Sequence, residues 1–312
     1  MEVVLSFLSP ITPTSSLRQS IPASYLSVYA SGGFDTSIYI DVNGLWVSAN
    51  RGNIIQWRLE DYPERKTHNP IKTWQVERAQ QQLLTEDADR GEWGTLHFSA
   101  PADVHHEAGT SALLRQEFAR TGTLRNQVDS NFRGIMDEEP VFAFSKSFKL
   151  NGTKAGEASE KTHDSVRFTL AHVQDPVIQF AAARGLTLMR PLWATSFLTS
   201  ESLLHFHYWD FSTAFTLASN YSQQLEIDAL KSGSEDYKDI LALSARQVLG
   251  ACSFAGTPED PVIFFKEISS DGNMNTVDVI YPAFPFFLYT NPRWLAYLLE
   301  PLLEHMGSGQ YP

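Results

Sequence analysis

The sequence has a single cysteine, no long apolar run and no excess of basic residues, and each shortage excludes a class of protein. Because Cys252 is alone, no disulfide can form within the chain, and its apolar neighbours favour a small core residue over a nucleophile. The start lacks the regions of a secretory signal peptide, and no run is long enough to span a bilayer. The formal net charge of -12, without a basic run, argues against nucleic acid or an anionic membrane as a partner.

The composition is that of a globular protein. Of the 312 residues, 43% are hydrophobic and 19% charged, which is sufficient to fill the cores of two domains. A G-x-S-x-G motif, a set of metal ligands and a phosphate-binding glycine loop are all missing. Serine, zinc and nucleotide mechanisms therefore lack support, and we expect no metal and no cofactor.

Residues 1–195 are predicted to form an antiparallel β-sandwich domain that is incomplete at its start. Apolar residues alternate with polar or smaller ones from Val3 to Phe7 and from Ile38 to Val42, which is typical of half-buried strands. Gly32-Gly33, between two such runs, predicts a hairpin turn. The other predicted elements are strands over 54–59, 73–79, 93–99, 141–150 and 165–173, and a short helix over 109–119.

Two polar triplets in this region are interpreted as solvated. Adjacent residues of a strand point to opposite faces, and no further ligand recurs near His105-His106-Glu107, so this triplet is predicted to be a solvated loop rather than a metal site. The acidic triplet Asp137-Glu138-Glu139 comes directly before Pro140 and a strand. It predicts a solvated turn at the entry to that strand.

From residue 196 the apolar period becomes helical, so 196–312 is predicted to begin a helical domain. Ser200, as N-cap, opens a pattern that ends near Gly233. A second helix begins at Ser234 and is stopped by the Gly and Pro at 256–258. A third begins at Asn291-Pro292, and Pro301 is expected to kink or interrupt it.

Between the second and third predicted helices, charged and amide residues lie between two aromatic runs, 262–265 and 277–289. Hydrogen-bonding groups beside buried surface must each find a partner. They satisfy either one another through Asx turns or a ligand, and the residues alone favour the first alternative. Arg246, inside the second helix, is predicted to pair with Glu267 or Asp271.

The stretch KEISSDGNMNTVDVIYPAFPFFLYTNP resembles the signature of the fungal glutaminase A family. The resemblance extends through RQSIPASYLSVY, NFRGIMDEEPVFAFS, HVQDP and LSARQVLGA, so it covers most of the chain. It implies an N-terminal β-domain followed by an (α/α)6 six-hairpin domain, and export from the cell. The sequons at Asn151 and Asn220 would suit that route.

A six-hairpin toroid needs two helices for each hairpin, whereas the patterns after residue 200 give about three helices in all. We therefore interpret the chain as a fragment that carries most of the β-domain and only the opening of the toroid. Bare apolar faces on its helices should follow, because a partial toroid lacks neighbours that cover them.

The resemblance implies a glutaminase-type amidohydrolase, which converts L-glutamine and water into L-glutamate and ammonia, although this fragment alone need not be active. The reaction requires an activated water, donors for the oxyanion and an acid for the leaving ammonia. The catalytic candidates, with unassigned roles, are Glu267, Asp271 and Asp278. The candidates for substrate binding are Lys266, Asn273, Asn275, Thr276 and Arg246.

Two other functions stay open. A six-hairpin glycoside hydrolase acting on a glycan would place two carboxylates across an aromatic-lined cleft. A non-catalytic β-sandwich binding module would need no polar concavity of this kind. A small pocket with both an acidic and a basic anchor for an amino acid would instead favour the glutaminase.

Overall fold

A computed structural model describes residues 1–63, 69–150, 162–182, 185–267 and 272–309. The chain divides into two compact units, the first comprising Met1–Ser9 and Pro22–Val173 and the second Pro10–Ile21 and Gln174–Pro312. The early segment of the second unit carries the short helix α1 (Ser16–Gln19). The predicted boundary between residues 195 and 196 stays a prediction.

The first unit is a β-sandwich. Its strands are β1 (Glu2–Leu8), β2 (Ala23–Gly32), β3 (Thr36–Asn43), β4 (Ile55–Tyr62), β5 (Ile71–Arg78), β6 (Glu86–Asp87), β7 (Arg90–Gly91), β8 (Thr95–Pro101), β9 (His105–Thr110), β10 (Gln127–Val128), β11 (Pro140–Phe148) and β12 (Thr162–Val173). One helix, α2 (Ser111–Thr121), separates β9 from β10.

Two sheets form the sandwich. The six-stranded sheet has the order β1-β2-β12-β8-β5-β4, and the four-stranded sheet has the order β10-β9-β11-β3. All pairings are antiparallel except the short one between β9 and β10. Aromatic rings fill the space between the sheets, with the centroids of Phe98 and Phe144 4.9 Å apart. The predicted antiparallel sandwich is confirmed.

The predicted hairpin at Gly32-Gly33 is wrong. β2 already pairs with β1 on one edge and with β12 on the other, so β3 cannot join it. The chain instead crosses between the sheets at this point, and β3 pairs with β11. Strand alternation is a local property, whereas the choice of partner strand depends on residues far along the chain.

The predicted loop at His105-His106-Glu107 is also wrong, because these residues begin β9. Glu107 is buried, and its carboxylate accepts hydrogen bonds from the backbone N–H and the guanidinium of Arg125. The buried charge is tolerated because this partner satisfies it. The turn predicted at 137–139 is confirmed, and it leads directly into β11 at Pro140.

The second unit is mainly helical and confirms the predicted α+β class. Its strands are β13 (Ile178–Ala182), β14 (Gly185–Met189), β15 (Cys252–Gly256) and β16 (Pro261–Phe265), and its longer helices are α3 (Ser200–Trp209), α4 (Phe211–Ser232), α5 (Glu235–Gly250), α6 (Val277–Thr290) and α7 (Pro292–Gly307). β13 pairs with β14 and β15 with β16, each as a two-stranded antiparallel sheet.

The helix predicted from Ser200 to Gly233 is two helices. Thr199 rather than Ser200 caps α3, accepting a hydrogen bond from the Ser202 backbone N–H at 3.1 Å. Asp210 separates α3 from α4, and the guanidinium of Arg18 holds its carboxylate. The break is therefore fixed by an ion pair with a residue that no local pattern indicates.

The second predicted helix ends earlier than expected, at Gly250. The following residues pair with β16, so Cys252 begins a strand instead of continuing the helix. As predicted, Cys252 is a core residue: it packs against the apolar cluster, and burial raises the pKa of its thiol. Ser234 caps α5 and Asn291 caps α7, both as predicted. The interruption expected at Pro301 is not formed, because α7 continues through this residue to Gly307.

Helix α6 has no counterpart among the sequence predictions, and it contains two prolines, Pro282 and Pro285. Its inner face, Ile280, Ala283 and Phe287, is buried in the core of the second unit. Its outer face, defined by Val277, Tyr281 and Leu288, is 60%, 73% and 49% exposed, respectively. This agrees with the expectation of bare apolar helix faces.

Candidate functional site

The polar stretch singled out by the sequence connects β16 to α6. β16 ends at Phe265, and the next two residues, Lys266 and Glu267, are half-buried. Asp271, one of the three candidate carboxylates, lies outside the described residues, as do 268–270. The described part of the candidate site comprises Lys266, Glu267 and the residues from 272 onward.

Backbone hydrogen bonds close the two ends of the connection against each other. The Glu267 N–H donates to the carbonyl of Asn273 at 2.7 Å, and the Asn275 N–H donates to the carbonyl of Phe265 at 2.8 Å. Lys266 forms an isolated antiparallel bridge with Met274. The arrangement brings Glu267 next to Asn273, so these two predicted residues lie together.

Asn275 has a structural position. Its backbone adopts a left-handed conformation with φ of 53°, which asparagine tolerates better than most residues. Its side-chain oxygen accepts from the Phe265 N–H at 2.7 Å, and its amide nitrogen donates to the carbonyls of Leu298 at 3.1 Å and Ile263 at 3.5 Å. The buried amide thus joins β16 to α7 and is occupied by backbone groups.

The remaining candidates lie nearer to solvent. Thr276 is the N-cap of α6 but makes no side-chain capping bond, and Asp278 is exposed in the first turn of the helix, where the helix dipole favours a carboxylate. Asn273 is exposed as well. Arg246 is exposed on α5 and has no hydrogen bond or ion pair within the described residues, so its predicted pairing with Glu267 is not formed.

No three His, Cys, Asp or Glu side chains among the described residues come together in a way that could hold a metal ion. No helix in the described ranges is long and apolar enough to cross a membrane.

An open cavity of about 470 Å³, which the sequence did not indicate, lies within the second unit. It is lined by Pro13, Thr14, Leu217, Asn220, Tyr221, Gln224, Asp228, Tyr289 and Thr290. In the sequence, the only indication of this cavity was the spacing of four of these residues along one face of α4, namely Leu217, Tyr221, Gln224 and Asp228. The contribution of α6 comes from residues about sixty positions later, which no local pattern connects to α4.

Hydrogen bonds order the polar groups of this cavity. Asp228 accepts from Gln224 at 2.8 Å and from the Tyr289 hydroxyl at 2.9 Å, and these bonds lower the pKa of its carboxyl group. Burial, together with Asp228, raises the pKa of Tyr289 to about 12. At neutral pH the cavity therefore presents one carboxylate and neutral hydroxyl and amide groups.

Comparison with known families accounts for nearly the whole chain. A family model described as "Domain of unknown function (DUF5127)" matches residues 1–228. A second model, described as "Glutaminase A six helical-hairpin domain", matches residues 234–312. The chain belongs to the glutaminase A family. The resemblance expected from the sequence is thus confirmed.

Two curated relatives are similar to this member of the glutaminase A family along its full length. A protein named "Probable glutaminase" from Arthroderma benhamiae is 58% identical over 312 residues, and "Glutaminase A" from Aspergillus oryzae is 37% identical over 319 residues. Each match covers 100% of this chain but only 36% and 44%, respectively, of the relatives. The chain therefore spans less than half the length of the curated relatives that it matches.

Proposed function

We propose that this chain contributes to a glutaminase activity, the hydrolysis of L-glutamine to L-glutamate and ammonia. The proposal rests on the match to a probable glutaminase, which extends over the whole chain with 58% identity. Because the relatives are much longer, catalysis would need helices beyond those of this chain. The exposed outer face of α6 supports this requirement, since a helix that is apolar on all sides is usually buried.

The proposed site is the connection between β16 and α6. Hydrolysis needs a base that activates water, and Glu267 is the candidate carboxylate with the best-defined position, because its backbone is bonded to Asn273. Asp278, exposed at the start of α6, suits the binding of the substrate's ammonium group. Asp271 stays a catalytic candidate of unassigned role.

Cationic and amide groups would complete the site. Lys266 is adjacent to Glu267 and could bind the substrate carboxylate or stabilise the oxyanion, with Asn273 and Thr276 as further donors. We assign Asn275 a positioning role, because its amide is already bonded to backbone groups. Arg246, exposed on α5, stays a candidate for binding the substrate carboxylate.

Export from the cell is part of the proposal. It rests on the family resemblance, and glutamine outside the cell would then be the substrate. No basic run attracts the chain to nucleic acid or to an anionic membrane.

The assay is ammonia release from glutamine, measured for this chain and for the chain joined to the remaining sequence of the Arthroderma benhamiae relative. We expect release by the joined protein. Aryl glycosides in parallel reactions test the alternative glycosidase. Release of sugar but no ammonia would replace the glutaminase by that alternative, and no turnover of either would leave a binding module.

Glu267→Gln in the active protein tests the proposed base. Loss of a general base should lower kcat by about 10² to 10⁴-fold. The matched control is Glu259→Gln, which removes an exposed carboxylate from the turn between β15 and β16 and should leave kcat unchanged. Equal kcat values for both variants, with the melting temperature of Glu267→Gln reduced, would make Glu267 architectural.

A further inference from the structure

The tripeptide Asn220-Tyr221-Ser222 in α4 has the pattern of an N-glycosylation acceptor. In that reaction an oligosaccharide is transferred from a lipid-linked diphosphate donor. The Asn Nδ2 bonds to C1 of the first sugar and loses a proton, while the bond from C1 to the diphosphate oxygen breaks. Such tripeptides are frequent by chance, so the surroundings of Asn220 must decide.

Asn220 is accessible in the folded chain. Both Asn220 and Ser222 are exposed, and the Asn220 amide makes no hydrogen bond within the described residues. Asn275, in contrast, is buried with its amide bonded on both sides. A glycan on Asn220 would therefore break no existing hydrogen bond. The position of Asn220 inside a helix does not prevent the modification, because the oligosaccharide is transferred before the chain folds.

The cavity next to Asn220 offers a few polar side chains and one aromatic ring to a sugar. Gln224 is one turn further along α4, about 6 Å by helical rise, and Asp228 is two turns further, about 12 Å. Their amide and carboxylate groups can pair with sugar hydroxyls, and Tyr289, which is 46% exposed, offers a ring for the apolar face of a sugar. The Tyr289–Asp228 hydrogen bond of 2.9 Å fixes that ring in place.

We propose that Asn220 carries an N-linked glycan whose first two N-acetylglucosamine residues lie in this cavity. The first sugar contacts Gln224, and the second packs against Tyr289 and bonds to Asp228. The protein thereby covers an open cavity with its own modification. The proposal rests on the export that is part of the proposed function, but not on the glutaminase reaction.

The modification itself is tested by secreting the chain from yeast behind a heterologous leader. Asn151→Gln removes the other sequon, which lies outside the described residues. Mass spectrometry after endoglycosidase treatment should find N-acetylhexosamine on the peptide that contains Asn220, and the Asn220→Gln variant should lack it. An unmodified Asn220 in the secreted chain would overturn the proposal.

The position of the sugars is tested by a double-mutant cycle on the melting temperature of the secreted proteins. Asn220→Gln should lower the melting temperature in the otherwise native chain and change it much less in a Tyr289→Ala background. If Tyr289→Ala fails to fold, Gln224→Ala replaces it in the cycle. The same decrease in both backgrounds would overturn the binding of the glycan in the cavity.

Discussion

Strands β5 and β8, in the six-stranded sheet of the first unit, bury both of their faces, whereas α6 of the second unit buries one. On the sheet, Trp74, Phe98 and Phe168 face the apolar core, and the opposite face carries buried polar residues such as Thr73, Gln75 and Ser99. On α6, Phe287 is fully buried, while Tyr281 on the outer face is 73% exposed. Polar groups are thus buried in one region, and apolar groups are exposed in the other.

The two regions differ in whether the side chains have partners: the buried polar groups of the sheet are hydrogen-bonded, whereas the exposed apolar side chains of α6 are not covered. Thr73 donates to the Ser99 hydroxyl at 2.9 Å, and Gln75 donates to Glu60 at 2.8 Å and to the Tyr62 hydroxyl at 2.9 Å, so burial of these residues costs little. On the outer face of α6, by contrast, no described element covers the apolar side chains. An apolar surface of this kind marks a contact with another element, which agrees with the proposed need for further helices.

The largest expected effect separates the two faces of α6. Phe287→Ala leaves a cavity in the core of the second unit and should lower the free energy of unfolding by about 3 to 5 kcal/mol. The neighbouring Leu288→Ala removes an exposed side chain and should change it by less than about 0.5 kcal/mol. Urea denaturation measures both, and a similar loss in the two variants would refute the assignment of inner and outer faces.

A smaller effect is expected at the link between β16 and α7. Asn275→Ala leaves the buried N–H of Phe265 and the carbonyl of Leu298 without their partner, which should cost about 2 to 3 kcal/mol. Asn273→Ala, two residues earlier and exposed, should be close to neutral. If Asn275→Ala melted like the native chain, its proposed positioning role would be lost.

The smallest expected effect is a pH dependence of stability that arises from His97, a residue on the buried polar face of the six-stranded sheet. Burial lowers the pKa of His97 to about 3, below the ordinary value of 6.5. The unfolded chain therefore binds more protons than the folded chain in acid. Titration of His97 leaves the free energy of unfolding unchanged well above pH 6.5. As the pH decreases, it lowers this free energy, by about 2 kcal/mol at pH 5.

Comparing the native chain with His97→Gln isolates that contribution. Urea denaturation at pH 7.5 and at pH 5 should show a smaller acid loss in the variant. An identical loss in both proteins would mean that His97 is not the group that takes up the proton.

Features set by short segments could be predicted from the sequence. Alternation identified β1 and β3, and capping residues identified the starts of α5 and α7. Features set by distant partners could not be predicted. The break at Asp210 depends on Arg18, and α6 was hidden by its two prolines and its continuous aromatic run.

The candidate site likewise has some features that could be predicted from the sequence and others that depend on distant residues. The sequence indicated that the polar stretch must find partners, and Asn275 does find them, one of them in α7. That Asn275 faces Leu298 follows only from the packing of α7 against β16. The cavity between α4 and α6 was likewise beyond prediction, because it joins residues from three separated segments. The catalytic roles of Glu267 and Asp278 stay predictions.

The most direct test of the central claim, that the outer face of α6 packs against further helices in a complete enzyme, is covalent labelling of tyrosines read by mass spectrometry. Tyr281 should be labelled readily in this chain and be protected in the chain joined to the remaining sequence of the Arthroderma benhamiae relative. Tyr29, which is 42% exposed in the first unit, provides the reference. Equal labelling of Tyr281 in the two proteins, relative to Tyr29, would contradict the account.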